Sequence, residues 1–370
     1  MKYCLLAALL PFCAHAQEDA PWTQFSVQAH GETRYGYRDA NGRVRIPAKF
    51  NDLTNARTFR HIMAVSESML SQDYYLLKNG RKVGRDSVFV FDFRFDCESE
   101  GKILFRDTRK DRVGFLNAQG KAVIPAIYNF ALPFHNGLAV ALIGAKRSCS
   151  DHSADTLNCE HLGWSGGQKV LLNERNEVLV NNLNTEPTGS GHLNWYSLKV
   201  NDPTPDTATT VTLGAVNGDR YTFTDYEKEF KVWLYNVFVP AVRRGDVAQV
   251  SALCFTDLAV ARPFRGWPHF TPATFVAKYQ HSVLGPRLGT LQRGAPGVAI
   301  FADDLNTFIF ESRDFQPFLT DCGEHFREKY PIFNMVLTYP VQPANAPIDN
   351  QEHFTFIRTA SGYRLFSMSL

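Results

Sequence analysis

Four constellations in the chain bring together residue types that could do chemistry. Gly163-Trp164-Ser165-Gly166-Gly167 has the Gly-x-Ser-x-Gly spacing of a nucleophile elbow, in which a strand turns sharply into a helix whose amino terminus supports an oxyanion. Here Gln168 to Asn173 and Glu177 to Val180 follow with the pattern of a hairpin, so Ser165 lacks the helix that the chemistry requires. Cys149, His152, Cys159 and His161 form Cys-x2-His-x6-Cys-x-His, a donor set suited to tetrahedral zinc at a spacing that is neither a finger nor a ribbon. In an oxidising compartment the expected state is instead a Cys149–Cys159 disulfide, with no metal and with both histidines solvated.

The third set is Asp257, His269, His281, Asp303, Asp304, Glu311 and His353, any of which could serve as an acid or base if desolvated in a pocket. No spacing among them forces two together. Asp303-Asp304 reads as a strand-end turn, Glu311 as a solvent-facing strand residue and His353 as a hydrogen-bonded structural residue, so no catalytic residue and no cofactor is assigned. The fourth is the phrase RPFRGWPHF, in which Arg262, Phe264, Arg265, Trp267 and Phe270 combine guanidinium groups with aromatic rings as binding hot spots do. Pro263, Gly266 and Pro268 equally suit a loop whose aromatics plug a core.

The elements that must position these groups are dominated by hairpins. Arg112 to Ile143 reads as strand, turn at Asn117-Ala118-Gln119-Gly120, strand ending near Pro125, aromatic Tyr128, and a closing apolar strand LAVALI. Arg34 to Glu67 repeats it: Gly36, Tyr37, Asn41-Gly42, Ile46-Pro47 and Phe50 answer Gly114, Phe115, Gln119-Gly120, Ile124-Pro125 and Tyr128. Further along, Phe59 and Ala64-Val65 answer Phe134 and Ala139-Val140. Tyr74 to Asp107 alternates at strand period and reads as a diverged repeat or inserted hairpins, and Gly163 to Val180 as a third, capping copy. These units resemble the WG-repeat (KWG-repeat) family of bacterial proteins, with Tyr35 and Val113 standing where that family has its Trp. The resemblance implies a β-rich array in which Tyr37, Phe50, Phe115 and Tyr128 are packing positions.

From Asn181 to Asp219 the composition turns to Asn, Thr, Pro, Gly and Asp, which predicts a linker or surface loop with one or two short strands such as TVTLGAV. Helical spacing begins at Tyr226 after a cap at Thr224 or Asp225 and is interrupted by Pro240. Gly245-Asp246 starts a second helix through Cys254, and Thr271-Pro272 a third over Ala273 to Val283. Strands follow at Val298–Phe301, Thr307–Phe310, Ile332–Tyr339, His353–Arg358 and Tyr363–Met368. The predicted fold is therefore a hairpin-repeat array followed by an α+β domain with helices packed on a curved antiparallel sheet. VFVPAVRRGDVAQVSALC and the element order after it resemble the cone-shaped fold of nuclear transport factor and ketosteroid isomerase relatives, which implies a pocket between sheet and helices. The expected domains are a signal peptide at 1–16, the repeat domain at 22–180, the linker at 181–219 and the α+β domain at 220–370.

The 370 residues carry 44% hydrophobic and 13% aromatic side chains, enough for more than one core, and a formal charge of +2 too small and dispersed to predict nucleic-acid binding. Met1 to Ala16, with Lys2, an apolar run and Ala14-His15-Ala16, reads as a leader cleaved after Ala16, giving a periplasmic or secreted protein with no transmembrane segment. Cys13 raises a lipoprotein alternative, but Pro11-Phe12 lacks the small residues such processing wants. Of the remaining cysteines, Cys254 with Cys322 is the expected second pair and Cys97 the odd thiol. The functional expectation is a non-enzymatic exported binding or scaffold protein whose repeat surface recognises a protein or polymer of the bacterial envelope. The competing expectations are an isomerase- or hydrolase-like enzyme with a carboxy-terminal pocket, and a periplasmic immunity or inhibitor protein.

Overall fold

The computed structural model describes residues 20–29, 31–68, 72–91, 94–149, 159, 162–183, 193–261, 266–295, 297–306, 309–310, 312–319, 322, 329–339 and 350–369. The chain is strand-rich, built mostly of small antiparallel sheets, and divides into two compact units. One comprises Met1–Phe134, Ala141–Gly167 and Asp321–Gly323; the other comprises His135–Val140, Gln168–Thr320 and Glu324–Leu370.

In the first unit the two sequence copies share one register. Tyr35 faces Phe50 and Tyr37 faces Ile46 across strands Glu32–Arg38 and Val44–Phe50, with a bulge between the pairs. Val113 faces Tyr128 and Phe115 faces Ile124 in the same way across Arg112–Asn117 and Ala122–Tyr128. The glycine between each pair is fixed by the partner backbone. A Cβ on Gly36 would lie 2.6 Å from the Ile46 carbonyl oxygen, and one on Gly114 would lie 2.4 Å from that of Ile124. Tyr37 packs edge-on against Phe59 at 5.7 Å and Phe115 against Phe134 at 4.8 Å, so the aromatic partners match as well.

The turn recurs more widely than the two copies. At Asp39–Arg43, Leu77–Arg81, Asn117–Lys121, Asn173–Glu177 and Ala215–Asp219 the first N–H donates to the fifth carbonyl, and the fourth N–H donates to the first carbonyl. The fourth position is left-handed each time, filled by Gly42, Gly80, Gly120, Asn176 and Gly218. Glycine and asparagine tolerate that region, which is why the turn is written so. The Oδ1 atoms of Asp39, Asn117 and Asn173 each accept two further N–H groups within their turns.

Strands Ile62–Val65 and Tyr74–Leu77 are buried at every position. Met63, Val65, Tyr74 and Leu76 join one core with Tyr37, Phe50 and Phe59, while Ile62, Ala64, Tyr75 and Leu77 join another with Ile103 and Leu116. Side chains alternate across a strand, so a sheet covered on both faces needs an unbroken apolar run. That explains IMAV and YYLL, and it makes Tyr74 to Asp107 part of the packed array.

Asp111, in a left-handed turn, accepts from Arg147 at 2.8 and 2.9 Å and also pairs with Arg106. These hydrogen bonds, Arg147's first, hold its carboxyl down at about 2, below the ordinary value of 3.8. A depressed folded-state value means the contribution is present above pH 3.8 and fades as pH falls toward 2. Asp111→Asn should therefore flatten the acid limb of stability in that window, measured by guanidinium midpoints at stepped pH. An unchanged acid limb would show that the cluster contributes nothing.

In the second unit the expected linker is partly sheet. Leu193–Val200 and Thr210–Gly214 both pair with Arg220–Asp225, the outer two flanking it. The expected strand TVTLGAV is present as Thr210–Gly214, and the Ala215–Asp219 turn joins it to Arg220–Asp225 as a hairpin. Residues 184–192 lie outside the described set. Asp225 caps helix Tyr226–Trp233 through the N–H groups of Glu227 and Lys228. The helical path passes through a wider π turn, Leu234–Phe238, into Val239–Arg244, and Gln280–Leu284 does the same ahead of Gly285–Leu288. Pro240 and Pro286 follow these turns at the same offset, where the missing N–H disturbs the ladder. The second expected helix is shorter than predicted: it spans Val247–Ala252, and Cys254 begins a strand, Cys254–Ala261.

That strand enters a six-stranded sheet ordered His269–Phe270, Cys254–Ala261, Gly362–Ser369, Asn350–Thr359, Ile332–Tyr339, Val298–Asp303. The second and third of these run parallel and the other neighbours antiparallel. Phe310, predicted in a strand, instead packs against Phe315 and Phe366 beside a 3-10 turn, Arg313–Phe318. Phe230, Phe238, Phe275, Phe333, Met335, Phe354 and Phe356 fill the space between helices and sheet, all without exposure. Phe230 stacks on Phe333 at 4.9 Å with the rings nearly parallel. Glu229 ties the first helix to the sheet, accepting from Arg358 Nε and the Tyr363 hydroxyl at 2.8 Å each.

Candidate functional site

Strand alternation puts one row of polar side chains of this sheet on the face away from the helices. Along Ile332–Tyr339, Phe333, Met335 and Leu337 join the helix-side core while Asn334 does not. Asn334 faces Thr355, and Thr355 faces Ser367, so a row of three polar side chains crosses three strands. His353 and Ser369 form a second pair two residues along. With Asp303 and Asp304 they floor a 340 Å³ cleft whose apolar walls are Trp267, Ile309, Phe310 and Phe366. Trp267 meets Phe310 edge-to-face at 6.2 Å and keeps 38% of its surface exposed.

Asn334 is the hub of the floor. Its Nδ2 donates to Asp303 Oδ2 and to His353 Nδ1, each at 3.2 Å. A carboxylate only accepts, so the amide atom facing Asp303 must be the NH2 group. His353 Nδ1 is consequently the acceptor in this contact, which leaves Nε2 as the donor of the ring. Asp303 Oδ1 accepts the Asp304 N–H at 2.8 Å, so both oxygens of that carboxylate are engaged. Asn334 is itself only 8% exposed, and its Oδ1 is buried without a hydrogen-bond partner among the described residues.

The structure thus joins Asp303 and His353, which no sequence spacing linked, through a residue that the sequence reading passed over. Thr355, Ser367 and Ser369 were passed over as well. The available signal was a polar residue at alternate positions of three apolar strands, IFNMVL, HFTFI and LFSMS. Asp257 Oδ1 accepts from His269 Nδ1 at 2.7 Å in a separate contact, and His281 is exposed on its helix. Glu311 lies outside the described residues, as do Arg262, Phe264 and Arg265. Of the aromatic phrase, Trp267 lines the cleft, whereas Phe270 packs on Tyr279 at 5.7 Å at the edge of the helix-side core.

One cysteine pair is the expected one and the other differs. Cys149 is bonded to Cys159, while His152 and His161 lie outside the described residues. Cys322 is bonded to Cys97, correcting the expected Cys254–Cys322 pair. Cys254 is instead a buried thiol pushed up to about 12 by its apolar surroundings, which makes it a packing residue and a poor nucleophile. Ser165 ends strand Leu162–Ser165 and is followed by strand Gln168–Asn173, with no helix to complete an elbow. The Arg147 guanidinium covers the neighbouring Trp164 ring at 4.0 Å.

Comparison with known proteins bears on the repeat and hardly on the cleft. Residues 114–146 match the WG containing repeat. This WG repeat begins at the sterically locked Gly114 and takes in Phe115, Tyr128 and Phe134, so the family's match falls on the packing positions. No curated protein matches the chain. Two solved structures are similar to it over part of its length. One is assigned as a ketosteroid isomerase from Shewanella frigidimarina, at 12% identity over 37% of this chain and 90% of that one, with a TM-score of 0.19. The other is assigned as a dehydratase of the NTF2-like family from Streptomyces avermitilis, at 13% identity over 38% and 91%, also with a TM-score of 0.19. Similarity at that level fixes neither fold nor activity for this chain.

Proposed function

We propose that this is an exported, non-enzymatic binding protein of the bacterial envelope. In this reading the hairpin array, including Arg34 to Glu67 as a diverged WG repeat, is the scaffold and the 220–370 region carries the ligand-contacting face. The observation that supports it most is the filling of the helix-side space by Phe230, Phe238, Phe275, Phe333 and Phe354, where an enclosed reaction chamber would have to be. Polar groups gather instead on an open cleft, where a ligand can dock but water is not excluded from a reacting centre. Disulfides at Cys97–Cys322 and Cys149–Cys159 suit an oxidising compartment. No helix among the described residues is long and apolar enough to cross a membrane.

The test is co-sedimentation of the purified full chain with the insoluble envelope fraction of its own cells. Wild type is expected to be retained and Trp267→Ala to lose at least tenfold in retention. Retention unchanged by Trp267→Ala would move binding away from the cleft. Turnover of a small substrate that disappears in His353→Ala would replace the binding reading with an enzymatic one.

A further inference from the structure

We infer that the cleft between Trp267 and the Asp303–Asn334–His353 floor takes a neutral, polyhydroxylated ligand of one or two rings, a sugar unit of a glycan. This rests on the binding reading above and names what is bound. The first argument is charge. Among the described residues the lining holds Asp303 and Asp304 and no Lys or Arg, so a phosphate, sulfate or carboxylate would meet repulsion from these carboxylates. The second is hydrogen-bond inventory. Asn334 Oδ1 is a buried acceptor with no donor among the described residues, which costs about 1–3 kcal/mol and leaves the floor short of a donor. Thr355, Ser367 and Ser369 are hydroxyls that both donate and accept, and His353 Nε2 donates. A polyol offers both functions. An ammonium offers donors alone and would leave the imidazole N–H opposite a cation.

Shape supplies the third argument. The Asn334–Thr355–Ser367 row spans three strands, about 10 Å, and His353 and Ser369 lie about 7 Å along the strands. A volume of 340 Å³ stands at the small end of ligand sites, in keeping with one or two rings. The exposed face of Trp267, braced edge-on by Phe310, offers an apolar wall for the C–H face of a sugar while its hydroxyls meet the polar floor. Neighbouring Ile309 and Phe366 continue that wall.

Calorimetric titration of the full disulfide-bonded chain tests the assignment with cellobiose and N,N′-diacetylchitobiose as neutral probes, spermidine as a cation and inorganic phosphate as an anion. Saturable binding of a neutral disaccharide is expected, weakened at least tenfold by Trp267→Ala and by Asn334→Ala, and unchanged by Trp164→Ala. Should Asn334→Ala fail to fold, Ser369→Ala is the substitute, with a smaller loss expected. Binding of spermidine or phosphate in place of the sugars overturns the assignment, as does absence of sugar binding or sugar binding indifferent to Trp267. If envelope retention depends on Trp267 yet neither disaccharide competes with it, the sugar falls and the binding reading stands. If a bound sugar is chemically converted, the binding reading falls.

Discussion

Gly114→Ala is expected to destabilise the first unit by about 3–5 kcal/mol, among the largest effects of any single methyl group in this protein. The added Cβ would sit 2.4 Å from the Ile124 carbonyl oxygen, 2.6 Å from the Pro125 carbonyl carbon and 2.7 Å from its oxygen. All three atoms belong to backbone. A side chain could swing away at small cost, but these atoms move only if strand Ala122–Tyr128 leaves its register, and with it the Val113–Tyr128 and Phe115–Ile124 pairs. Phe115 is buried against Phe134, so the shift would also open the aromatic core. Gly36→Ala should behave alike, with the Ile46 oxygen at 2.6 Å and the Ala48 nitrogen at 2.7 Å. The control is Gly163→Ala, where the nearest neighbour, the Ser148 oxygen, is 3.9 Å away and a change under about 1 kcal/mol is expected. Urea midpoints of the three variants decide the matter. Equal midpoints for Gly114→Ala and Gly163→Ala would mean that the repeat strands are not in contact as described.

Loss of the Cys97–Cys322 disulfide should cost a comparable amount, about 3–5 kcal/mol, through the double variant Cys97→Ala with Cys322→Ala. The two residues are 225 positions apart, and a cross-link closing so long a loop removes much of the entropy of the unfolded chain. Cys149–Cys159 closes only 10 positions, so its removal should cost less, about 2–3 kcal/mol. The first unfolding transition in guanidinium, with and without reductant, measures both losses, and reductant should add nothing to a variant lacking all four cysteines. Peptide mapping without reduction provides a sharper check. Recovery of a Cys254–Cys322 peptide would refute the pairing, because Cys254 lies at 7% exposure within the helix-side core.

The repeat could be seen in the sequence because its determinants are local. A left-handed turn needs Gly or Asn at one position, a bulge against a facing backbone needs Gly at another, and the aromatic plugs follow at fixed distances. Two copies of such a code, Arg34 to Glu67 and Arg112 to Ile143, reveal each other without any knowledge of the fold. Helix caps at Asp225, Asp246 and Thr271 were visible for the same reason, since each acts within four residues. The continuous burial of IMAV and YYLL and the pairing of TVTLG with Arg220–Asp225 were not visible. Composition reports how polar a segment is and not which strand it will pair with.

The cleft belongs to the tertiary structure. Asp303, Asn334 and His353 stand on three strands separated by long stretches of chain, and they meet only because Val298–Asp303, Ile332–Tyr339 and Asn350–Thr359 become neighbours in one sheet. Which cysteine pairs with Cys322 was likewise undecidable from spacing, since Cys97 and Cys254 are chemically equal candidates until packing buries one and presents the other. What the sequence determined by itself were the short-range backbone geometries and the apolar rhythm of the strands. Tertiary packing decided which parts of the sheet were covered by apolar side chains, which strip was left polar, and therefore where a ligand can be held.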